Sequence, residues 1–133
     1  MDRNQTPKII DILAAIVGSK EKLRERPLLT FTTCPISPLK LPEHHCEIIM
    51  DAAANGLAVN VIGMALSGGS SPVHLAGTLV INNCEMLSSL VLRQSFQKGA
   101  PFIYCSSTCP MDFRMATATV GSPETGMISA AVA

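Results

Sequence analysis

Three times in this chain an apolar, strand-like run ends in a loop of Ser, Thr, Pro or Gly, and each time a helical pattern follows. That order constrains the fold more than any composition figure. Alternating strands and helices argue for a parallel sheet joined by right-handed crossovers. The clearest run is LAVNVIGM, residues 57–64, nearly all apolar, which suits a strand buried on both faces. PLLTFTTC, residues 27–34, carries β-branched and aromatic residues and reads as a strand. APFIYC, residues 100–105, reads as the third.

The helical patterns open on prolines: Pro7, Pro42, Pro72 and Pro123. In the first, Thr6 suits the N-cap, Ile9, Ile10, Leu13, Ile16 and Val17 fall on one face, and Gly18 is the stop. KEKLRER, residues 20–26, reads as a solvated helical turn. The second helix runs from Pro42 to Asn55, with Glu43 in its first turn and Asn55-Gly56 ending it. The third is expected to be capped by Ser71 and to begin at Pro72. Ala76, Leu79, Val80, Leu87, Leu90 and Val91 recur along it at helical spacing, and Gly99 closes it, about 40 Å at ~1.5 Å per residue. CPISPLKLP, residues 34–42, is an extended loop, and SSTCPMDFRMATATVG, residues 106–121, a long one. Ser122, Pro123 and Glu124 then open a helix inside which the sequence stops at Ala133.

Three parallel strands leave two open edges and an uncovered face. A closed barrel needs eight such units in about 250 residues. The expected fold is therefore α/β, a partial (β/α)8 TIM-type barrel of about three strand–loop–helix units. Residues 1–26 form a leading helix and charged turn, and residues 27–133 the three units.

Ten basic and ten acidic residues cancel, and no basic patch stands out, which argues against nucleic acid as a partner. Charged residues are 15 % of the chain and mean hydropathy is +0.34. A free small domain needs more polar surface than that. The chain is expected to cover surface against a partner, another copy of itself included, or to be a fragment of something larger. Five cysteines and a polar start, MDRNQTPK, suit free thiols in a reducing cytoplasm. No run of 18 unbroken apolar residues occurs. Asn82, Asn83, Glu85, Arg93 and Gln94 interrupt the longest candidate, so no membrane span is expected.

The candidate site residues lie at the strand ends. MALSGGSSPVHLAG, residues 64–77, puts Ser67, Gly68, Gly69 and Ser70 after the central strand. They are read either as a flexible turn feeding the next helix or as pocket lining, since active sites of barrels sit on these loops and glycine lets backbone approach a ligand. The loop contains neither GxxxxGK[ST] nor GxGxxG. His74 follows, read as a capping or packing residue or as a hydrogen-bond donor to a ligand. Ser107, Asp112 and Glu124 follow the third strand. An Asp112–Arg114 pair closing the loop is one reading; Asp112 or Glu124 facing a cation is the other. His44, His45 and Cys46 are consecutive, point in different directions and read as a surface helix start, not a metal site. Cys105 and Cys109 lack the further ligands zinc needs. Phe31 and Tyr104 sit in strands and are expected to be buried in the sheet. No acid–base triad stands out, and no catalytic residue is assigned.

LRERPLLTFTTCPISPL, GLAVNVIGMALSGGSSPVHLAGTLV and KGAPFIYCSSTCPMDFRMATATVGSPE together resemble the trimethylamine methyltransferase family, which also contains glycine betaine and other quaternary-amine methyltransferases. The resemblance covers roughly residues 22–133. It implies an α/β barrel considerably longer than this chain. It implies transfer of a methyl group from a methylated amine to the cobalt of a corrinoid (cobalamin) held by a separate corrinoid protein, with none bound covalently here. The reaction is a displacement at carbon, in which the protein aligns the C–N bond and excludes water. In that setting His74 would face a substrate carboxylate or the docking corrinoid, and Asp112 or Glu124 the ammonium. Members acting on trimethylamine carry pyrrolysine on a segment expected beyond residue 133. Two other readings stay open: a non-catalytic truncated barrel fragment that only assembles with a partner, and a barrel piece that binds a phosphate ligand at residues 67–71.

Overall fold

The structure is a computed structural model and describes residues 5–133. In chain order the elements are α1 (Gln5–Val17), α2 (Lys20–Glu25), β1 (Thr30–Thr33), α3 (Glu43–Ala54), β2 (Ala58–Gly63), β3 (Leu66–Ser67), α4 (Leu75–Phe96), β4 (Phe102–Ser106), β5 (Cys109–Asp112), β6 (Thr117–Ala118) and α5 (Pro123–Val132). The main sheet has the order β1-β2-β4, parallel throughout. Phe31 pairs with Val59, Asn60 with Ile103 and Gly63 with Ser106.

Spatial order follows chain order, so the sheet is wound in one direction and its crossover helices share one face. Val59 and Val61 are fully buried there, with Phe31 of β1, Ile48, Ile49 and Ala52 of α3, Met86 of α4, Leu23 of α2 and Ile10 of α1. Each large apolar side chain among them stabilises the fold by about 2 kcal/mol. The opposite face holds Thr30, Thr32, Ala58, Asn60, Ile62 and Ile103, and no helix covers it among the described residues. The run expected to be buried on both faces is thus buried on one: Ala58, Asn60 and Ile62 are only half-buried.

Most helix ends follow the expected chemistry with local shifts, but Thr6, expected to cap the first helix, lies buried inside α1. α1 stops before Gly18 (φ +102°) and α3 before Gly56 (φ +70°). Pro42 precedes α3, with Glu43 in the first turn. Ser19 caps α2 by accepting the Lys22 N–H at 3.2 Å. Ser122 caps α5, with Pro123 in its first turn.

α4 departs from expectation twice. It begins at Leu75, with His74 at the cap position making no side-chain cap bond. The Ser71 hydroxyl instead meets Thr78 Oγ1 at 2.9 Å, and Thr78 donates to the Pro72 carbonyl at 2.7 Å, so residues 71–74 fold as a turn across the helix start. Its 22 residues span about 33 Å. The recurring apolar residues do not mark the packed face either: Val80, Leu87 and Val91 are 60 %, 46 % and 63 % exposed. The buried face is Thr78, Asn82, Glu85, Met86, Ser89 and Arg93. By length and composition alone α4 passes the test for a membrane-crossing helix. Yet its two charged residues point into the protein, as the hydrogen bonds below show.

The segment expected to be one long loop contains two short strands. β5 pairs parallel with β3 and antiparallel with β6, making a small second sheet from the two chain stretches that follow β2 and β4.

Candidate functional site

Three loops follow the carboxyl ends of β1, β2 and β4, and each is internally fastened. The loop after β1 closes between Ile36 and Lys40, whose N–H and C=O groups pair at 2.8 and 3.0 Å. At its tip, Ser37–Pro38 is a cis peptide and Leu39 takes φ +57°. The Ser37 hydroxyl and the Leu39 N–H both donate to the Glu85 carboxylate, each at 2.9 Å.

The Ser-Gly loop after β2 is a turn closed on itself. The Leu66 carbonyl accepts the N–H groups of Gly69, Ser70 and Ser71 at 2.9–3.1 Å, and Gly68 N–H donates to the Ser71 carbonyl at 3.0 Å. The Leu66 N–H donates to Ser70 Oγ at 2.9 Å. Ser67 is buried, and its hydroxyl faces the carbonyls of Pro72 and Val73 at 3.1 and 2.8 Å. Gly68 has φ +84°, and the Phe113 ring occupies the space a Cβ would take. A phosphate cradle requires N–H groups that point outward; here those of residues 68–71 are spent inside the loop.

In the loop after β4, the exposed Ser107 donates its N–H to the Gly63 carbonyl at 2.8 Å, and the buried Thr108 hydroxyl donates to Asn82 Oδ1 at 3.2 Å. Asp112 Oδ1 accepts the N–H groups of Arg114 and Met115 at 2.7 and 3.2 Å. Asp112 therefore closes the loop, as in the first of its two readings, and does so through the Arg114 backbone. His74 and Glu124 are exposed, Glu124 in the first turn of α5. Pairing of β3 with β5 sets Ser67 opposite Pro110, which brings the Ser-Gly turn beside the Asp112 segment. Among the described residues no side-chain hydrogen bond draws His74 or Glu124 into that group.

Two more expectations change. His45 is not a surface residue: it is fully buried, with Nδ1 3.0 Å from Thr33 Oγ1 and Nε2 3.1 Å from Ser89 Oγ. Burial, and then the neighbouring His44, lower its pKa to about 4, so the ring is neutral. Tyr104 is 38 % exposed. Its side chain lies on the α4 side, where the hydroxyl accepts from Asn82 Nδ2 and donates to Asn83 Oδ1, each at 3.2 Å. Phe31 is buried as expected. All five cysteines are free thiols, and burial raises the pKa of Cys34, Cys46 and Cys109. Among the described residues no three His, Cys, Asp or Glu side chains converge as a metal site.

Sequence reading missed Asn82, Glu85 and His45. The available signal was a second helical periodicity on α4, polar, at residues 78, 82, 85, 89 and 93.

The sequence profile of the trimethylamine methyltransferases matches residues 1–133. The trimethylamine methyltransferase MttB of Desulfitobacterium hafniense is 50 % identical over 126 residues, covering 95 % of this chain and 25 % of the relative. That of Methanosarcina barkeri is 51 % identical over 124 residues, 92 % of this chain and 25 % of the relative. The glycine betaine methyltransferase of D. hafniense is 34 % identical over 124 residues, 93 % of this chain and 26 % of the relative. The chain thus spans about a quarter of the length of the curated relatives it matches.

Proposed function

The chain belongs to the trimethylamine methyltransferase family, and from that premise we propose that it is the part of such an enzyme that carries three strand–loop–helix units of an α/β barrel and the pocket wall built by their loops. The one-way winding and the bare sheet face support this. Further units added in the same sense would curl the sheet until that face became the interior, and eight units would close it. The pocket then belongs at the strand ends.

The reaction is methyl transfer from trimethylamine to the cobalt of a corrinoid carried by a separate protein. The observation that carries the choice of amine is the identity of about 50 % with two trimethylamine methyltransferases against 34 % with a glycine betaine methyltransferase. The methyl carbon would pass to the Co(I) of the partner's corrinoid, which supplies the electron pair of the new bond, while the C–N pair stays on nitrogen; neutral dimethylamine departs only if that nitrogen carries a proton. A neutral tertiary amine must gain positive character before it can leave. The chain's own contribution is to hold the C–N bond in line with its acceptor and to keep water out. Ile36, Leu39, Met64, Phe113 and Met115, all exposed on the strand-end loops, give a wall suited to methyl groups. His74 and Ser107 are the exposed polar side chains assigned to the pocket. Ser67, Gly68, Gly69 and Ser70 shape the turn beneath, and Asp112 holds the third loop.

The test uses the full-length parent polypeptide with cob(I)alamin as acceptor, following methylation by absorbance. Trimethylamine should be consumed at least tenfold faster than glycine betaine. Faster use of glycine betaine, or methylation from neither, overturns the reading.

A further inference from the structure

The inward face of α4 holds five polar side chains at residues 78, 82, 85, 89 and 93, all essentially buried. Each fastens a different segment. Thr78 bonds Ser71 and Pro72, in the loop after β2. Asn82 bonds Thr108, in the loop after β4, and Tyr104. Glu85 takes both bonds from the tip of the loop after β1. Ser89 meets His45, which in turn meets Thr33 at the end of β1. Arg93 donates to the carbonyls of Ile49 and Leu57.

We propose that α4 is a common spine that sets the three strand-end loops relative to one another, with Asn82 and Glu85 as positioning residues for the pocket. The role in catalysis rests on the methyltransferase reading; the mechanical part does not. Asn82 and Glu85 are three residues apart, about 4.5 Å along one rigid helix, so they share a face. The anchors of the first and third loops therefore sit within one turn of each other, and the second is one turn away at Thr78. No hydrogen bond joins the first loop to the third among the described residues. Their mutual position is set through the helix.

The chemistry of each anchor suits the task. Glu85 is 1 % exposed, and no cation lies within ion-pair distance among the described residues; its two oxygens each hold one donor of the same loop tip. Such charge-assisted bonds are the stronger kind, and a buried carboxylate left without them would be costly. Asn82 reaches its partners across Gly63, and a Cβ there would collide with its Oδ1. Sub-ångström placement of pocket groups governs rate, since a misplacement of about 1 Å costs on the order of 100-fold.

The test uses the parent polypeptide carrying Ser37→Ala, Thr108→Val or both. These remove one donor each from two different loops and leave α4 intact. Hydrogen exchange is read over residues 34–42 and 106–112, and kcat and KM for trimethylamine are read separately. Each single variant should speed exchange at least threefold in the other loop as well as its own. Each should lower kcat about threefold or more with KM little changed, and the double variant should lose less than the product of the two. Exchange confined to the substituted loop, or kcat losses that simply multiply, overturns the spine. Spread exchange with unchanged kcat overturns the positioning role. Failure of the methyltransferase reading shows differently: the wild-type polypeptide methylates cob(I)alamin from neither amine, while the exchange pattern still decides the mechanical claim.

Discussion

Gly63→Ala gives the most direct check on how α4 meets the sheet. Gly63 ends β2 in its buried row and makes no unusual demand on φ, so alanine meets no backbone penalty there. By itself the exchange would stabilise the chain by about 0.5 kcal/mol, through the unfolded state. The new methyl, however, would collide with Asn82 Oδ1 and sit 3.1 Å from Asn82 Cγ and 3.3 Å from Met86 Cε. Asn82 is fully buried and cannot move without losing its bonds to Thr108 and Tyr104. Overpacking costs about 2 kcal/mol and the two lost bonds about 1 kcal/mol each. The net expectation is a destabilisation of about 3.5 kcal/mol. In an Asn82→Ala background the obstacle is gone, leaving only the flexible end of Met86, and the same exchange should cost less than about 1 kcal/mol. Urea unfolding of the four proteins of the cycle, in the parent polypeptide, measures the coupling, expected at about 2.5 kcal/mol or more. An equal cost in both backgrounds would refute the claim that Gly63 is bare in order to admit Asn82.

Three further outcomes follow from the same contacts. His45 titrates near 4 in the folded protein against a usual 6.5, because burial disfavours its charged form. Between those values the unfolded chain binds more protons, so stability held above pH 6.5 falls by about 3 kcal/mol on going to pH 4. His45→Gln should flatten that slope in urea midpoints taken across the range. Ser67→Ala removes a buried hydroxyl bonded to carbonyl groups and should cost about 1 kcal/mol, with KM for trimethylamine unchanged within about twofold; a tenfold rise in KM would return Ser67 to the pocket lining. Gly68→Ala places a methyl on the Phe113 ring at positive φ and should cost about 2 kcal/mol. With Phe113→Ala present, thermal unfolding should show about 1 kcal/mol remaining, the backbone part alone.

The parallel sheet was legible because its signals are local. Apolar strand runs, Gly18 and Gly56 at left-handed stops, and Ser122-Pro123 at a helix start each follow from the preferences of one or two residues. β3, β5 and β6 were hidden, since strands of two to four residues carry too little periodicity to register. The site was legible only as a location. That Ser67 and the N–H groups of residues 68–71 are spent inside their own turn depends on how the loop closes onto Leu66, which composition does not encode. His45 was misplaced for a related reason: its partners, Thr33 and Ser89, lie 12 and 44 residues away.

α4 shows the physical limit most clearly. Its apolar residues follow helical spacing, and so do its polar ones; Val80, Leu87 and Val91 of the first set face outward, while the polar set faces inward beside Met86. Hydrophobic transfer alone would favour the reverse. The inward set wins because the segments that α4 covers end in unpaired polar groups. Ile49 and Leu57 present carbonyls to Arg93, the tip of the first loop presents two donors to Glu85, and Thr108 presents one to Asn82. An apolar helix face laid on those groups would leave each unsatisfied, at about 1–3 kcal/mol apiece. Glu85 and Arg93, the two charged residues among those that break the apolar run in the sequence, are thus among its most buried. They fix the helix at one register on the sheet, which an apolar stripe free to slide would not do.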